Sequence, residues 1–151
     1  MDLQNVDLKT SIDASLIDSK FKNLKWITPS FSLNPEKEIN LIKQTIETLK
    51  QDKRNKMMIT EYQFFSLILE ENLNIPNRWY THDNNSYPLK NHKYYKFYKE
   101  HFTNLIKKNN VEVIYITGDS KIKNFQIYLD NICFTEEEIN EISKMHELKK
   151  C

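Results

Sequence analysis

A cluster of aromatic, basic and acidic side chains near the middle of the chain has the residue types that bind polar ligands. Its members are Arg78, Trp79, Tyr80, His82 and Asp83. Aromatic faces beside a planar guanidinium bind sugar rings, nucleobases and phosphates. The cluster also lies in a long connection, residues 72–91, and such connections are often functional. It therefore predicts a ligand-binding loop; the alternative is an aromatic plug that pins the loop to the core, with Arg78 paired to a carboxylate.

A second candidate site combines two carboxylates and a hydroxyl that follow predicted strands. Glu61 comes directly after the strand at residues 56–60, and Asp119 and Ser120 follow the strand at residues 111–117. In open α/β sheets, ligands bind at the carboxyl ends of the strands, where helix N-termini converge. We expect a polar site there, able to do acid/base work if the two carboxyl pKa values differ. The alternative is that Asp119 and Ser120 cap a helix and Glu61 complements a helix dipole.

Lysines and tyrosines interleave at the start of a predicted helix, as Lys90, Lys93, Lys96 and Lys99 with Tyr94, Tyr95 and Tyr98. A helix face with this pattern can bind an anionic membrane surface or a nucleic-acid backbone. The alternative is a solvated helix face whose tyrosines are half buried. His82, Asp83 and His92 match no recognised metal-ligand spacing. The sequence therefore predicts no metal site, no cofactor and no catalytic residue.

Composition excludes several classes of function. Lysine and arginine number 22 against 21 acidic residues, a net charge of +1, so no overall field attracts nucleic acid and no nucleic-acid partner is expected. The single glycine, Gly118, cannot build a GxGxxG or Walker A phosphate loop. No stretch approaches the roughly 18 to 20 apolar residues that span a bilayer, and the first residues lack the regions of a signal peptide. The sequence alone thus predicts a soluble chain.

Apolar spacing and helix-start signals predict the order of the elements. Buried strands are expected at residues 24–28, 56–60 and 111–117. Helices are expected after the Asn34 cap, after the capping-box pair Thr60 and Gln63, over residues 94–106, over residues 122–132, and after a second capping-box pair, Thr135 and Glu138. Residues 145–151 are expected to form a helix tail or an edge strand.

Strands that alternate with helices indicate βαβ units. We therefore expect one α/β domain over residues 23–151, preceded by a polar lead-in over residues 1–22. Its sheet is expected to be mainly parallel, with roughly three to five strands and helices on both faces, in a Rossmann-like arrangement. The three predicted strands are expected to be neighbours.

Several short sequence runs along these elements are similar to those of a known protein group. They are IDASLID at residues 12–18, LKWITP at 24–29, DKRNKMMIT at 52–60, YPLK at 87–90, KYYK at 93–96 and VIYI at 113–116. These runs resemble the carboxyl-terminal soluble domain of bacterial multi-pass membrane proteins that look like polyprenyl-phosphate-sugar-dependent glycosyltransferases of the mannosyltransferase type. The resemblance covers nearly the whole chain, and its motifs are not catalytic signatures.

The resemblance implies a domain that follows a transmembrane region and lies on the periplasmic face of a membrane. It also implies that the transferase carboxylates belong to membrane loops absent from these residues, so the domain is an accessory that is not catalytic alone. Its implied partners are the membrane region of the same or a parent protein and a glycan or polyprenyl-phosphate sugar. Without this placement, a soluble cytoplasmic chain is expected, and the alternative function is a small-ligand binder or enzyme that uses Glu61 and Asp119.

Whether the two cysteines form a disulfide depends on this placement. Cys133 and Cys151 are too few for a disulfide scaffold or a zinc site, and they can bridge only in an oxidising compartment. On the periplasmic side, the resemblance implies a Cys133–Cys151 disulfide, which closes a short loop and contributes about 3 kcal/mol.

Overall fold

The computed structural model describes residues 8–28, 31, 33–77, 86–118 and 125–151. The chain forms two compact units, one up to Lys50 and one from Gln51 onward.

The first unit contains short elements and one long helix. Strands β1 (Ile12–Asp13) and β2 (Lys25–Trp26) form an antiparallel pair. The expected lead-in segment also carries three short 3-10 helices, Leu8–Thr10, Ala14–Leu16 and Ser19–Phe21. The expectation that the run at residues 24–28 neighbours the other two predicted strands is wrong, because within the described residues β2 pairs with β1 in a separate two-stranded sheet.

Helix α1 (Pro35–Gln51) confirms the helix predicted after Asn34. The Asn34 side-chain oxygen accepts a hydrogen bond from the Lys37 backbone N–H at 3.1 Å, which satisfies an amide that the helix start leaves without a partner. Apolar residues at helical spacing form its buried stripe, as predicted: Ile39, Ile42, Ile46 and Leu49. Within the same unit, the Trp26 indole N–H donates to Glu38 Oε2 at 2.9 Å and so links β2 to α1.

The second unit contains a four-stranded sheet in the order β3–β4–β6–β5. Its strands are β3 (Lys56–Thr60), β4 (Val113–Thr117), β5 (Ile132–Asn140) and β6 (Ser143–Lys150). Strands β3 and β4 are parallel, whereas β6 pairs antiparallel with both β4 and β5. The expected mainly parallel, Rossmann-like sheet is therefore wrong. The molecule is a small α/β protein with a mixed sheet in which one strand pair is parallel.

The error arises in the last twenty residues, where the predicted helix after Thr135 is replaced by the β5–β6 hairpin. The capping-box spacing of Thr135 and Glu138 is present, but both residues lie inside β5. Cross-strand pairing stabilises the strand instead, as in the ion pair between Glu136 and Lys144 at 2.7 Å. Tertiary pairing has overridden a local helix signal, which carries little free energy by itself. Strand β6 is also interior in the sheet, not an edge.

Two other predicted helices differ from the structure, and local hydrogen bonds explain the first difference. Thr60 Oγ1 accepts from the Tyr62 N–H at 2.9 Å, and the Gln63 amide donates to the Thr60 carbonyl at 2.8 Å, so this pair builds a turn. Helix α2 (Phe65–Leu69) begins only after that turn. Of the helix expected over residues 122–132, the described part is a 3-10 helix, Phe125–Tyr128.

Helix α3 (Tyr95–Lys108) confirms the helix predicted over residues 94–106. Asn110 has φ of 47°, the left-handed conformation expected where the chain leaves this helix for β4. One face of the sheet forms an apolar core with α3 and the 3-10 helix Phe125–Tyr128. The buried members of this core are Met57, Ile59, Phe102, Ile106, Val111, Ile114, Ile116, Phe125 and Tyr128.

Candidate functional site

A cavity of about 350 Å³ lies at the end of β4, beside the turn of the β5–β6 hairpin. This volume is at the lower end of the range for small-molecule sites. The wall combines apolar side chains with groups that carry charge. Its lining residues are Ile116, Gly118, Phe125, Gln126, Glu136, Glu141, Ile142, Ser143, Lys144 and His146.

Gly118 joins β4 to the hairpin turn at the rim of this cavity. Its backbone N–H donates to the Ile142 carbonyl at 2.9 Å. Its φ of +105° is a conformation that side chains rarely adopt. A methyl group at this position would also lie 2.8 Å from Glu61 Oε1. The one glycine of the chain therefore places the end of β4 directly against Glu61.

An ion pair crosses the hairpin inside the cavity wall. Lys144 Nζ lies 2.7 Å from Glu136 Oε1, and both side chains are about half exposed, at 48% and 44%. The hydrogen bond from Lys144 lowers the pKa of the Glu136 carboxyl, and the same bond raises the pKa of the Lys144 ammonium. Glu141 adds a second carboxyl group to the lining. The fixed charges of the wall are thus two acidic groups and one basic group.

His146 is the buried titratable group of the cavity wall, at 3% exposure. Its ring packs edge-on against Phe125 and Phe134, with centroids 4.9 and 5.1 Å away. The nearest carboxylate oxygen to Nδ1 is Glu136 Oε2 at 3.8 Å, which is beyond hydrogen-bond distance, and Nδ1 is buried without a hydrogen-bond partner. Burial lowers the pKa of His146, so the imidazole is neutral at neutral pH.

The second charged cluster, at the other end of β4, is fully paired and acts as a structural anchor. Arg54 contacts Asp52 through Nε and Nη2 at 2.9 and 2.8 Å, and the Tyr115 hydroxyl donates to Asp52 Oδ2 at 2.6 Å. Burial alone raises the pKa of Asp52, but these hydrogen bonds outweigh it and lower the pKa to about 2. Burial and the bond to Asp52 raise the pKa of Tyr115.

Of the sheet-edge residues predicted from sequence, Glu61 lies beside Gly118. Asp119 and Ser120 lie outside the described residues, so their expected role stays a prediction. Sequence reasoning missed Glu136, Lys144 and His146, because the capping-box pair Thr135 and Glu138 predicts a helix and residues 145–151 are expected to be a helix tail or an edge strand. Alternation was the signal for a strand: Lys144, His146 and Leu148 are spaced two apart, which places them on one face.

The central cluster of the predicted ligand-binding loop lies outside the described residues: Arg78, Trp79, Tyr80, His82 and Asp83. The described residues on either side of it are held together. The Asn77 side-chain amide donates to the Ser86 carbonyl at 2.5 Å. Next to Ser86, the Tyr87 ring packs edge-on against Tyr98 of α3, with centroids 5.9 Å apart. These contacts hold the two described ends of the loop next to each other and against α3.

A disulfide joins Cys133, near the start of β5, to Cys151, directly after β6. The two Cα atoms are 5.0 Å apart, within the range that disulfides require. Cys133 faces Lys149 in the strand register, so the bridge closes the open end of the hairpin. Both cysteines are exposed.

None of the helices in the described part of the chain is both long enough and apolar enough to cross a membrane. No protein-family model, no curated protein and no solved structure matches this chain.

Proposed function

We propose that this chain is an extracytoplasmic accessory domain, similar to the extramembrane carboxyl-terminal domain of a polyprenyl-phosphate-sugar-dependent membrane glycosyltransferase. In this role it packs on the membrane region of the same or a parent protein and has no transferase activity of its own. The sequence runs that resemble this group support the proposal, because they extend from residue 12 to residue 116.

The disulfide is the observation that carries the proposal. Cys133 and Cys151 are exposed, so thiols of a reducing compartment have access to the bridge. Disulfides of this kind persist in oxidising compartments such as the bacterial periplasm and are rare in the cytosol. A bridge between these two cysteines therefore favours the periplasmic placement over the cytoplasmic one.

Thiol labelling in intact cells tests the placement. In the native chain, a membrane-permeant maleimide is expected to label neither cysteine, because both are bridged. The Cys133→Ser variant frees Cys151 at the exposed chain end, and we expect a membrane-impermeant maleimide to label it from outside the inner membrane. Labelling of this variant by the permeant reagent alone would place the chain in the cytosol and contradict the proposal.

The expected contact with a glycan is tested separately, by NMR titration of the chain with oligosaccharides and polyprenyl-phosphate sugars. We expect shifts at the loop ends, Asn77, Ser86 and Tyr87, and their loss in the Arg78→Ala variant. If no loop resonance shifts, the proposed glycan contact is contradicted, whereas the proposed accessory role is unaffected.

A second candidate function is small-ligand binding at the Glu61 edge of the sheet, and the cavity beside Gly118 favours it. The wall offers donors and acceptors with an excess of one acidic group, which disfavours an anionic ligand. We propose a small neutral or cationic molecule that hydrogen-bonds to Glu136 and Lys144. The imidazole signals of His146 are expected to shift during titration with a panel of such molecules. The Glu136→Gln variant should weaken binding, whereas Glu137→Gln, on the opposite face of β5, should not.

A further inference from the structure

Large apolar side chains are exposed at the start of α3 and directly before it. Leu89, Tyr94 and Phe97 are 42%, 55% and 73% exposed. Tyr94 and Phe97 are three residues apart, so they lie on the same side of the helix. The inward residues of α3 are instead Phe102 and Ile106. We use the name α3 patch for the exposed set Leu89, Lys90, Lys93, Tyr94, Lys96 and Phe97.

Positive charge surrounds these apolar side chains. Residues 89–97 contain three lysines and no acidic residue. Lys93 Nζ lies 4.7 Å from the centre of the Tyr94 ring, a cation–π contact that keeps its charge beside the aromatic face. Lys99, one turn further, differs because it is paired with Asp130 at 2.6 Å. Among the described residues, no carboxylate forms an ion pair with Lys90, Lys93 or Lys96, so the unpaired positive charge lies at the apolar end of the helix.

This combination matches an amphipathic, anionic surface. Lysines beside such a surface gain electrostatic attraction to anionic lipids, while aromatic rings are favoured at the level of the headgroups. A protruding phenylalanine can enter the boundary between headgroups and acyl chains. A protein partner is a poorer fit, because the buried cores of protein interfaces are depleted in lysine. We propose that the α3 patch docks on the surface of an anionic lipid bilayer.

This inference goes beyond the proposed accessory role, since it identifies the face that meets the membrane and uses none of the resemblance. The test uses the full chain with vesicles made of equal parts of phosphatidylglycerol and phosphatidylcholine. We expect co-sedimentation with these vesicles at low salt, weaker binding as salt is raised, and little binding to phosphatidylcholine alone.

Variants assign the binding to the patch. Phe97→Ala should weaken vesicle binding roughly tenfold, because a buried aromatic side chain is lost from the interface. The Phe97→Trp variant should retain binding. The fluorescence emission of its new indole side chain should shift to shorter wavelength when anionic vesicles are added. Each of Lys93→Gln and Lys96→Gln should weaken binding about fivefold. The matched control is Lys107→Gln with Lys108→Gln, which removes two exposed lysines from the other end of α3 and should leave binding unchanged.

Three outcomes would overturn the inference. The first is the absence of binding to anionic vesicles at low salt. The second is an equal loss of binding in the Lys107 and Lys108 control, which would show general attraction of a lysine-rich chain. The third is a dimer that forms without lipid and is abolished by Phe97→Ala in sedimentation experiments, which would make the patch a self-association surface. The maleimide test of the cellular compartment is independent of all three.

Discussion

Gly118 is the residue on which the end of β4 depends. A side chain at this position meets two separate obstacles, a φ of +105° and the Glu61 carboxylate 2.8 Å from the added carbon. The steric obstacle is the end of a side chain and can be removed by shortening Glu61. The backbone obstacle cannot, since a non-glycine residue in this region is strained whatever the space.

We predict that Gly118→Ala lowers the free energy of unfolding by about 1 to 3 kcal/mol. In the Glu61→Ala background, Gly118→Ala should lower the free energy of unfolding by less than it does in the native chain. The shorter side chain at position 61 relieves the steric component of the cost but not the backbone component. Urea unfolding of the four proteins in the cycle measures both components. A recovery of the whole loss would show that the backbone conformation carries no cost.

At the scale of elements, the β5–β6 hairpin holds most of what the sequence did not foresee. It supplies two of the four strands of the sheet, four charged or titratable residues of the cavity (Glu136, Glu141, Lys144 and His146), and the disulfide. Its open end is closed by the bridge between Cys133 and Cys151, 18 residues apart. The stability of this element is therefore linked to the redox state of the chain.

We predict that reduction of the disulfide lowers the free energy of unfolding by about 3 kcal/mol, because the unfolded chain regains the freedom of the closed loop. Urea unfolding with and without a reductant measures the change. The double variant Cys133→Ser, Cys151→Ser should match the reduced protein and be insensitive to the reductant. Equal stability of the oxidised and reduced chains would contradict the prediction.

At the scale of the whole molecule, two buried ionisable groups link stability to pH in the same direction. The folded-state pKa of His146 is lowered from 6.5, so the unfolded chain binds the proton more readily, and stability is lost as pH falls below that value. The pKa of Asp52 is lowered from 3.8 to about 2, so its contribution is present above 3.8 and is lost as pH falls toward 2. The Asp52 side chain is only 9% exposed, so this contribution is about 2 kcal/mol.

We therefore predict that the urea midpoint falls in two windows on acidification, the first below about pH 6.5 and the second below about pH 4. His146→Phe, which keeps an aromatic ring between Phe125 and Phe134, should remove the first decrease. Asp52→Asn should be less stable than the native chain at neutral pH and approach it at the acidic end. A midpoint that is flat between about pH 7 and pH 5 would contradict the role given to His146.

Local patterns determined the parts of the fold that local interactions stabilise. The Asn34 cap and the apolar stripe behind it specify α1, because the stripe matches the helical period. Short apolar runs specify the other two elements, Met57 to Ile59 in β3 and the β-branched and aromatic residues of β4. Composition likewise determined that no glycine-rich phosphate loop exists.

Only the tertiary structure decided the rest. Residues 132–150 carry a helix-start signal and a strand alternation together, and the choice between them depends on whether β4 offers an edge to pair with. That pairing made the sheet mixed, and the register of the hairpin brought His146 beside Glu136. Hydrogen bonds between strands join residues far apart in the chain, so their free energy is absent from any local window of sequence.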